Sequence, residues 1–257
     1  MSLVWLHEMT SSDVAAIAAR DARVAVLVLG ATEQHGPHLP LDVDTRITSA
    51  MCEAAAMQIA GDVGVVIAPP LGVGVSEHHM RFPGSLALEP ETFIAVAFQV
   101  GRSLIRHGFD RLVLVNGHAG NAGAMQIVAT RLRLEGGARL VVFLNEWALA
   151  RDAFAAVRES SPGGAAHACE YETSLYLHLR PEAVRMADAV DEPSVEAIPG
   201  GLVEIFEPGP YGVALGGEFS RSGVLGEPTR ATAEKGRACF EAAVENLADV
   251  LRHAATR

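Results

Sequence analysis

The chain has 257 residues and a formal net charge of -11 at pH 7, with 49% of residues hydrophobic and 20% charged. That length and balance specify a globular chain with a sizeable core and exclude a disordered one. The acidic balance argues against nucleic acid or an anionic membrane as a partner, and no apolar run approaches the roughly 20 residues that span a bilayer.

Cys52, Cys169 and Cys239 are odd in number and lack a CxxC spacing, which points to reduced thiols in a cytoplasmic protein. The start Met1-Ser2-Leu3-Val4-Trp5 carries no basic flank or long apolar stretch of a signal peptide, in keeping with that location.

In chain order, short Val-, Leu- and Ile-rich runs at 23–29, 62–68, 111–115 and 139–144 predict strands, each closed by Gly, Pro or Asn. Helical patterns fill the gaps at 44–59, 89–107 and 121–135, with Pro90 suited to a helix start and Gly108 to a stop. The alternation predicts βαβ units around a mostly parallel sheet covered on both faces, in one domain over residues 1–257. A further helix is expected over 167–179. Residues 191–226 collect much of the proline and glycine, with one strand-like run at 201–206. They are expected to form an irregular excursion that covers the site or makes an oligomer contact. An amphipathic helix over 232–254 closes the chain.

Reactive side chains gather just after the predicted strands. Glu33-Gln34-His35-Gly36-Pro37-His38, with Asp42 and Asp44 beyond, follows the first. Glu77-His78-His79 follows the second, Asn116-Gly117-His118 the third and Asn145-Glu146-Trp147 the fourth. A parallel sheet would collect these segments on one rim. Carboxylates and imidazoles together suit Zn²⁺, Mn²⁺ or Fe²⁺. The predicted helix from His167 carries Cys169, Glu170 and Glu172; Glu170 stands one turn from His167 and would share its face. Cys169 beside His167 suggests a nucleophile, although thiols are commonly buried and inert. His78 and Trp147 are candidates to line a substrate pocket.

Gly30 to Pro40 with Asp44-Thr45, then Asn116-Gly117-His118, then His167 to Ser174, resemble the motifs of the creatininase (creatinine amidohydrolase) family. Phe82-Pro83-Gly84-Ser85 and Gly223-Val224-Leu225-Gly226 fit the same pattern, and the likeness runs in order over most of the chain. The resemblance implies a three-layer αβα sandwich and a two-metal hydrolytic site, in a homo-oligomer that can be hexameric. It implies two divalent ions per chain, Zn²⁺ and/or Mn²⁺, with Fe²⁺ also compatible. Carried over by motif, Glu33 and His118 would bind one metal and His35 the other, with Asp44 bridging. Creatininase adds a Glu two residues after the His of Asn-Gly-His, where this chain has Gly120. The missing ligand would then come from Glu172, in the shared Glu-Thr-Ser triplet, or from Glu170. His167 is the candidate general acid, with Glu170 beside it.

Two departures argue against creatinine as substrate: Ala119 stands where creatininase carries Tyr, and Trp147 is the only tryptophan after Trp5. Ser220 to Thr229 with Ala231-Thr232 resembles the mycofactocin peptidase branch, which the segment His167 to Ser174 matches less well. The expected activity is metal-dependent cleavage of a C–N amide-type bond, in a small molecule or short peptide, by a metal-activated hydroxide. The alternatives are a ring-opening C–C hydrolase of a keto-inositol, a mycofactocin-type peptidase and a non-catalytic metal-binding relative.

Overall fold

The computed structural model describes residues 3–193, 204–206 and 220–257. Its first helix, α1 (Ser11–Ala18), was not anticipated. A capping box holds it: Thr10 Oγ1 accepts from Asp13 N–H, and Asp13 accepts from Thr10 N–H at 2.9 Å. Strand β1 (Arg23–Leu29), helix α2 (Val43–Ile59), β2 (Gly64–Ile67), α3 (Pro90–Arg106), β3 (Arg111–Asn116), α4 (Ala122–Leu134) and β4 (Leu140–Asn145) follow in strict alternation. The four strands pair parallel in the order β2-β1-β3-β4. Pro90 does open α3, and Gly108 follows its end with a φ of 99°.

The strand period of two divides the core. Val24, Val26 and Val28 pack among Val43, Ile47 and Met51 of α2. Ala25, Leu27 and Leu29 face the opposite way, onto Phe93 and Phe98 of α3 and Met125 and Val128 of α4. Because helices cover both faces, β1 reads as an unbroken apolar run instead of an alternating one. The result is the expected three-layer αβα sandwich.

The strand order positions the site. The chain leaves β1 for β2 on one side, then returns past it to β3 on the other. Connections from the carboxyl ends of β1 and β3 therefore diverge and open a crevice there. The first turn of α2 is pressed into this crevice. A Cβ added to Gly117, just after β3, would lie 2.1 Å from Thr48 Oγ1 and 2.5 Å from the Asp44 carbonyl oxygen.

The later half departs from expectation at two places. Helix α5 (Arg151–Val157) precedes a short strand, β5 (Ala165–His167), and the helix expected from His167 begins only at Glu170, as α6 (Glu170–Leu179). Between them Ala168 has a φ of 50°, a left-handed turn that costs a non-glycine residue roughly 1–2 kcal/mol. Strand β6 (Leu225–Gly226) pairs antiparallel with β5, and α7 (Ala233–Thr256) closes the chain.

Of the strand-like run at 201–206, residues 201–203 lie outside the described residues and 204–206 form no strand; Phe206 stacks on Phe154. The expected excursion at 191–226 lies largely outside the described residues too, but its ends meet: Glu192 and Gly226 exchange two backbone hydrogen bonds of 2.9 Å. No described helix is long and apolar enough to cross a membrane.

Candidate metal centre

Glu33 and His35 leave the end of β1, Asp44 lies in the first turn of α2 and His118 follows β3. All four are buried, and Glu172, in the first turn of α6, joins them. The hydrogen bonds at their outer edges decide which atoms face inward. His118 Nε2 lies 3.0 Å from the carbonyl oxygen of Val75, which can only accept. The neutral ring therefore carries its proton on Nε2, and its Nδ1 lone pair points to Glu33 Oε1 and Asp44 Oδ2, each 3.2 Å away. His35 Nδ1 lies 3.2 Å from the Glu33 carbonyl oxygen, so Nε2 offers its lone pair to Asp44 Oδ1 at 3.1 Å and Glu172 Oε1 at 3.7 Å.

Lone pairs thus face carboxylate oxygens from two sides. Glu33 Oε1 and Oε2, His35 Nε2 and Asp44 Oδ2 are buried with no hydrogen-bond partner. Buried polar atoms are rarely left so, and acceptors facing acceptors repel unless a cation lies between them. Oxygen and imidazole donors of this kind fit Zn²⁺ or Mn²⁺. Asp44 turns Oδ1 to His35 and Oδ2 to His118, the disposition of a bridging carboxylate. Candidate ligand atoms of Glu33, His35 and Asp44 lie within 4.8 Å of one another, as do those of His35, His167 and Glu172 and of Glu33, His78 and His118.

Without a metal, protons take the cation's place. Burial alone would depress His35 and His118, but Asp44 and Glu172 around the first and Glu33 and Asp44 around the second hold both well above the usual imidazole range. Burial would raise Asp44 and Glu172, yet the neighbouring imidazoles outweigh it and lower both.

The structure divides the other candidates. Glu172 Oε2 accepts from the Cys169 N–H at 3.2 Å, capping α6, while Oε1 reaches His35. His167 closes on the cluster, its ring 4.2 Å from that of His35 and its Nδ1 3.8 Å from Glu33 Oε1. His78 stacks on His118 at 5.4 Å between centroids. Glu170, expected beside His167 as catalyst or ligand, is not brought to the cluster. The left-handed turn at Ala168 puts it on a different face, where it pairs with Lys235 Nζ at 2.5 Å and accepts from Ser160 N–H at 2.8 Å. Trp147, expected to line the pocket, is instead buried in the core that includes Phe154 and Leu247. Cys169 is fully buried, and that burial, reinforced by Glu172, pushes its thiol well above the usual range and disfavours a nucleophilic thiolate.

Gly120 has no room for a ligand. A Cβ there would lie 2.3 Å from the Val75 carbonyl oxygen and 2.4 Å from His118 Nε2. Sequence reasoning gave Gln34 no role and weighed His79 only as a rim residue. Both lie inside the site, and the one signal for Gln34 was its position between Glu33 and His35. Glu146, in the segment after β4, is buried as well; burial raises its carboxyl to about 8, although the Tyr171 hydroxyl donates to it at 2.7 Å.

The sequence profile of the creatinine amidohydrolase (creatininase) family matches residues 7–251. The chain belongs to the creatininase family. A curated relative, the mycofactocin precursor peptide peptidase of Mycobacterium ulcerans, is 37% identical over 86% of this chain and 81% of its own length. A creatininase mutant described as Zn-Zn type superposes with a TM-score of 0.80 at 28% identity, covering 98% of each chain. A creatininase described as the Mn form superposes with a TM-score of 0.78 at 30% identity, again over 98% of each. This chain is accordingly a creatininase-family hydrolase with the three-layer fold of that family.

Proposed function

We propose that this creatininase-family chain hydrolyses an amide bond in a short peptide, using two divalent cations held by Glu33, His35, Asp44, His118 and Glu172. The carrying observation is the set of buried acceptors that face one another unpaired. Glu33 and His118 would hold one cation, His35 and Glu172 the other, and Asp44 both. Zn²⁺ and Mn²⁺ are the proposed ions, in line with the donor set and with the forms of the two creatininases. When bound, such a pair lowers the pKa of water, so that hydroxide exists near neutral pH, and polarises a carbonyl.

His167 manages the proton. Its Nε2–H donates to the Gln34 carbonyl oxygen at 2.8 Å, which leaves the Nδ1 lone pair facing the cluster. Burial holds this imidazole below its usual range. Nδ1 can accept a proton as water attacks and return it to the departing nitrogen, acting first as base and then as acid.

A peptide is favoured over creatinine by the mycofactocin-type relative at 37% identity and by the burial of Trp147 in the core. Assembly with further copies of this chain is part of the proposal; it is supported by Phe143 on β4 and Ile127 on α4, 45% and 49% exposed. So is a cytoplasmic location, which suits three free cysteines. The test is mass spectrometry of Zn²⁺- or Mn²⁺-loaded protein incubated with mycofactocin-type precursor peptides, creatinine and keto-inositols. Cleaved peptide with untouched ring compounds is expected. Turnover of a ring compound with intact peptides would overturn the assignment.

A further inference from the structure

His79 and His167 flank Gln34 at the edge of the cluster, and candidate ligand atoms of Glu33, His79 and His167 lie within 4.8 Å of one another. By proximity alone His79 would be a metal ligand. The hydrogen bonds say otherwise, and three backbone atoms are enough to decide it.

The Gly36 backbone N–H, which can only donate, lies 2.9 Å from one end of the Gln34 amide, so that end is Oε1. The other end, Nε2, has two hydrogens and three neighbours at 3.0 Å: the Gly223 carbonyl oxygen, His79 Nδ1 and His167 Nε2. Gly223 can only accept and takes one hydrogen. His167 Nε2 must spend its own hydrogen on the Gln34 carbonyl oxygen at 2.8 Å, so it cannot accept. The second hydrogen of Gln34 therefore goes to His79 Nδ1. A neutral His79 then carries its proton on Nε2, which lies 3.3 Å from Glu33 Oε1.

Three imidazole nitrogens surround Glu33 Oε1: His118 Nδ1 at 3.2 Å, His79 Nε2 at 3.3 Å and His167 Nδ1 at 3.8 Å. With a cation at the centre, His118 and His167 would turn lone pairs inward and only His79 would present a hydrogen to Glu33. The contact is long and Glu33 Oε1 has no aligned hydrogen bond, so the attraction is electrostatic, between the N–H edge and the carboxylate. It acts on Oε1, the oxygen that also faces His118 Nδ1, and so holds the carboxylate toward the cluster.

We propose that His79 is a positioning residue for Glu33, locked by Gln34 as the Nε2–H tautomer, and not a metal ligand. This rests on the reading of Glu33 as a ligand. His79 cannot ligate through Nδ1, whose lone pair is taken by Gln34. It can ligate through Nε2 only by moving that proton to Nδ1, where the Gln34 donor stands in the way. Partners of this kind fix a ligand's orientation and are worth about 10–100-fold in metal affinity.

Long-range ¹H–¹⁵N NMR of the whole protein, metal-free and zinc-loaded, tests the tautomer, with the His79 signal identified by its absence in His79→Gln. Nε2 protonated and Nδ1 bare in both states is expected. A proton on Nδ1, or loss of the Nε2 proton on adding zinc, would overturn the proposal. Zinc affinity by chelator competition should fall about 10–100-fold in His79→Ala and recover most of that loss in His79→Gln, which keeps an N–H near the position of Nε2. Equal weakness of the two variants, or no loss in His79→Ala, would also overturn it. A wild-type chain that binds no zinc would instead sink the metal centre, while the metal-free spectrum still reports on Gln34 and His79.

Discussion

Restoring a glutamate at position 120, where creatininase carries a ligand, should harm this protein. A Cβ on Gly120 would lie 2.3 Å from the Val75 carbonyl oxygen, 2.4 Å from His118 Nε2 and 2.9 Å from His78 Cε1. Relief requires a shift of roughly 1 Å to reach ordinary contact, and Val75 offers backbone, not a flexible side-chain tip. Overpacking of this kind costs about 1–3 kcal/mol. The same shift strains the 3.0 Å contact from His118 Nε2 to Val75 that aims Nδ1 at Glu33 and Asp44. Loss of such an outer partner lowers metal affinity about 10–100-fold. Gly120→Ala should therefore show both effects, and Gly120→Glu should be no tighter than Gly120→Ala despite its added carboxylate. Chelator competition measures the affinity and thermal melts of the metal-free proteins measure the packing cost. If Gly120→Glu binds zinc more tightly than wild type, the position has room for a ligand, and the assignment of that role to Glu172 fails.

Glu170→Ala should leave metal content unchanged but destabilise the chain by about 1–3 kcal/mol in denaturant melts, because it removes the acceptor of Ser160 N–H and leaves Lys235 Nζ with only Glu159 at 3.3 Å and the Arg230 carbonyl oxygen at 2.7 Å; loss of metal without loss of stability would contradict the placement. Cys169→Ala should retain most hydrolytic activity in a rate assay, and an inactive but metal-loaded variant would restore the thiol to the mechanism. Glu146 makes the metal-free protein sensitive to pH. The folded chain keeps its carboxyl protonated up to about 8, whereas 4.5 is the ordinary value, so the unfolded chain holds fewer protons between the two and stability falls as pH rises across that window. Melts of Glu146→Gln should lack this component, which amounts to at most about 1.4 kcal/mol per pH unit; parallel profiles for the two proteins would refute it.

What the sequence could and could not disclose follows from how far apart the deciding atoms lie. Glu33, His35, Asp44 and His118 were legible because a parallel sheet turns the ends of β1 and β3 toward one crevice, and strand ends can be read from local composition. The choice between Glu170 and Glu172 was not legible. It depends on a single left-handed residue, Ala168, which delays the helix start by three positions and turns Glu170 toward Lys235. A helix-period argument cannot see a turn that propensity disfavours. Trp147 was misplaced for a related reason: its segment follows a strand as the others do, but it folds back under α7 into the core. The part of Gln34 emerged only from Gly36, His79, His167 and Gly223, three of which lie more than forty residues away.

Elemental analysis of protein purified without chelator, beside an Asp44→Ala control, tests the central claim most directly. Asp44 faces both His35 and His118, so its loss should empty the centre as a whole. The account predicts close to two divalent metals per wild-type chain and a near-complete loss in the control. A wild-type chain that holds none after incubation with Zn²⁺ or Mn²⁺, or a control that keeps both, would contradict it.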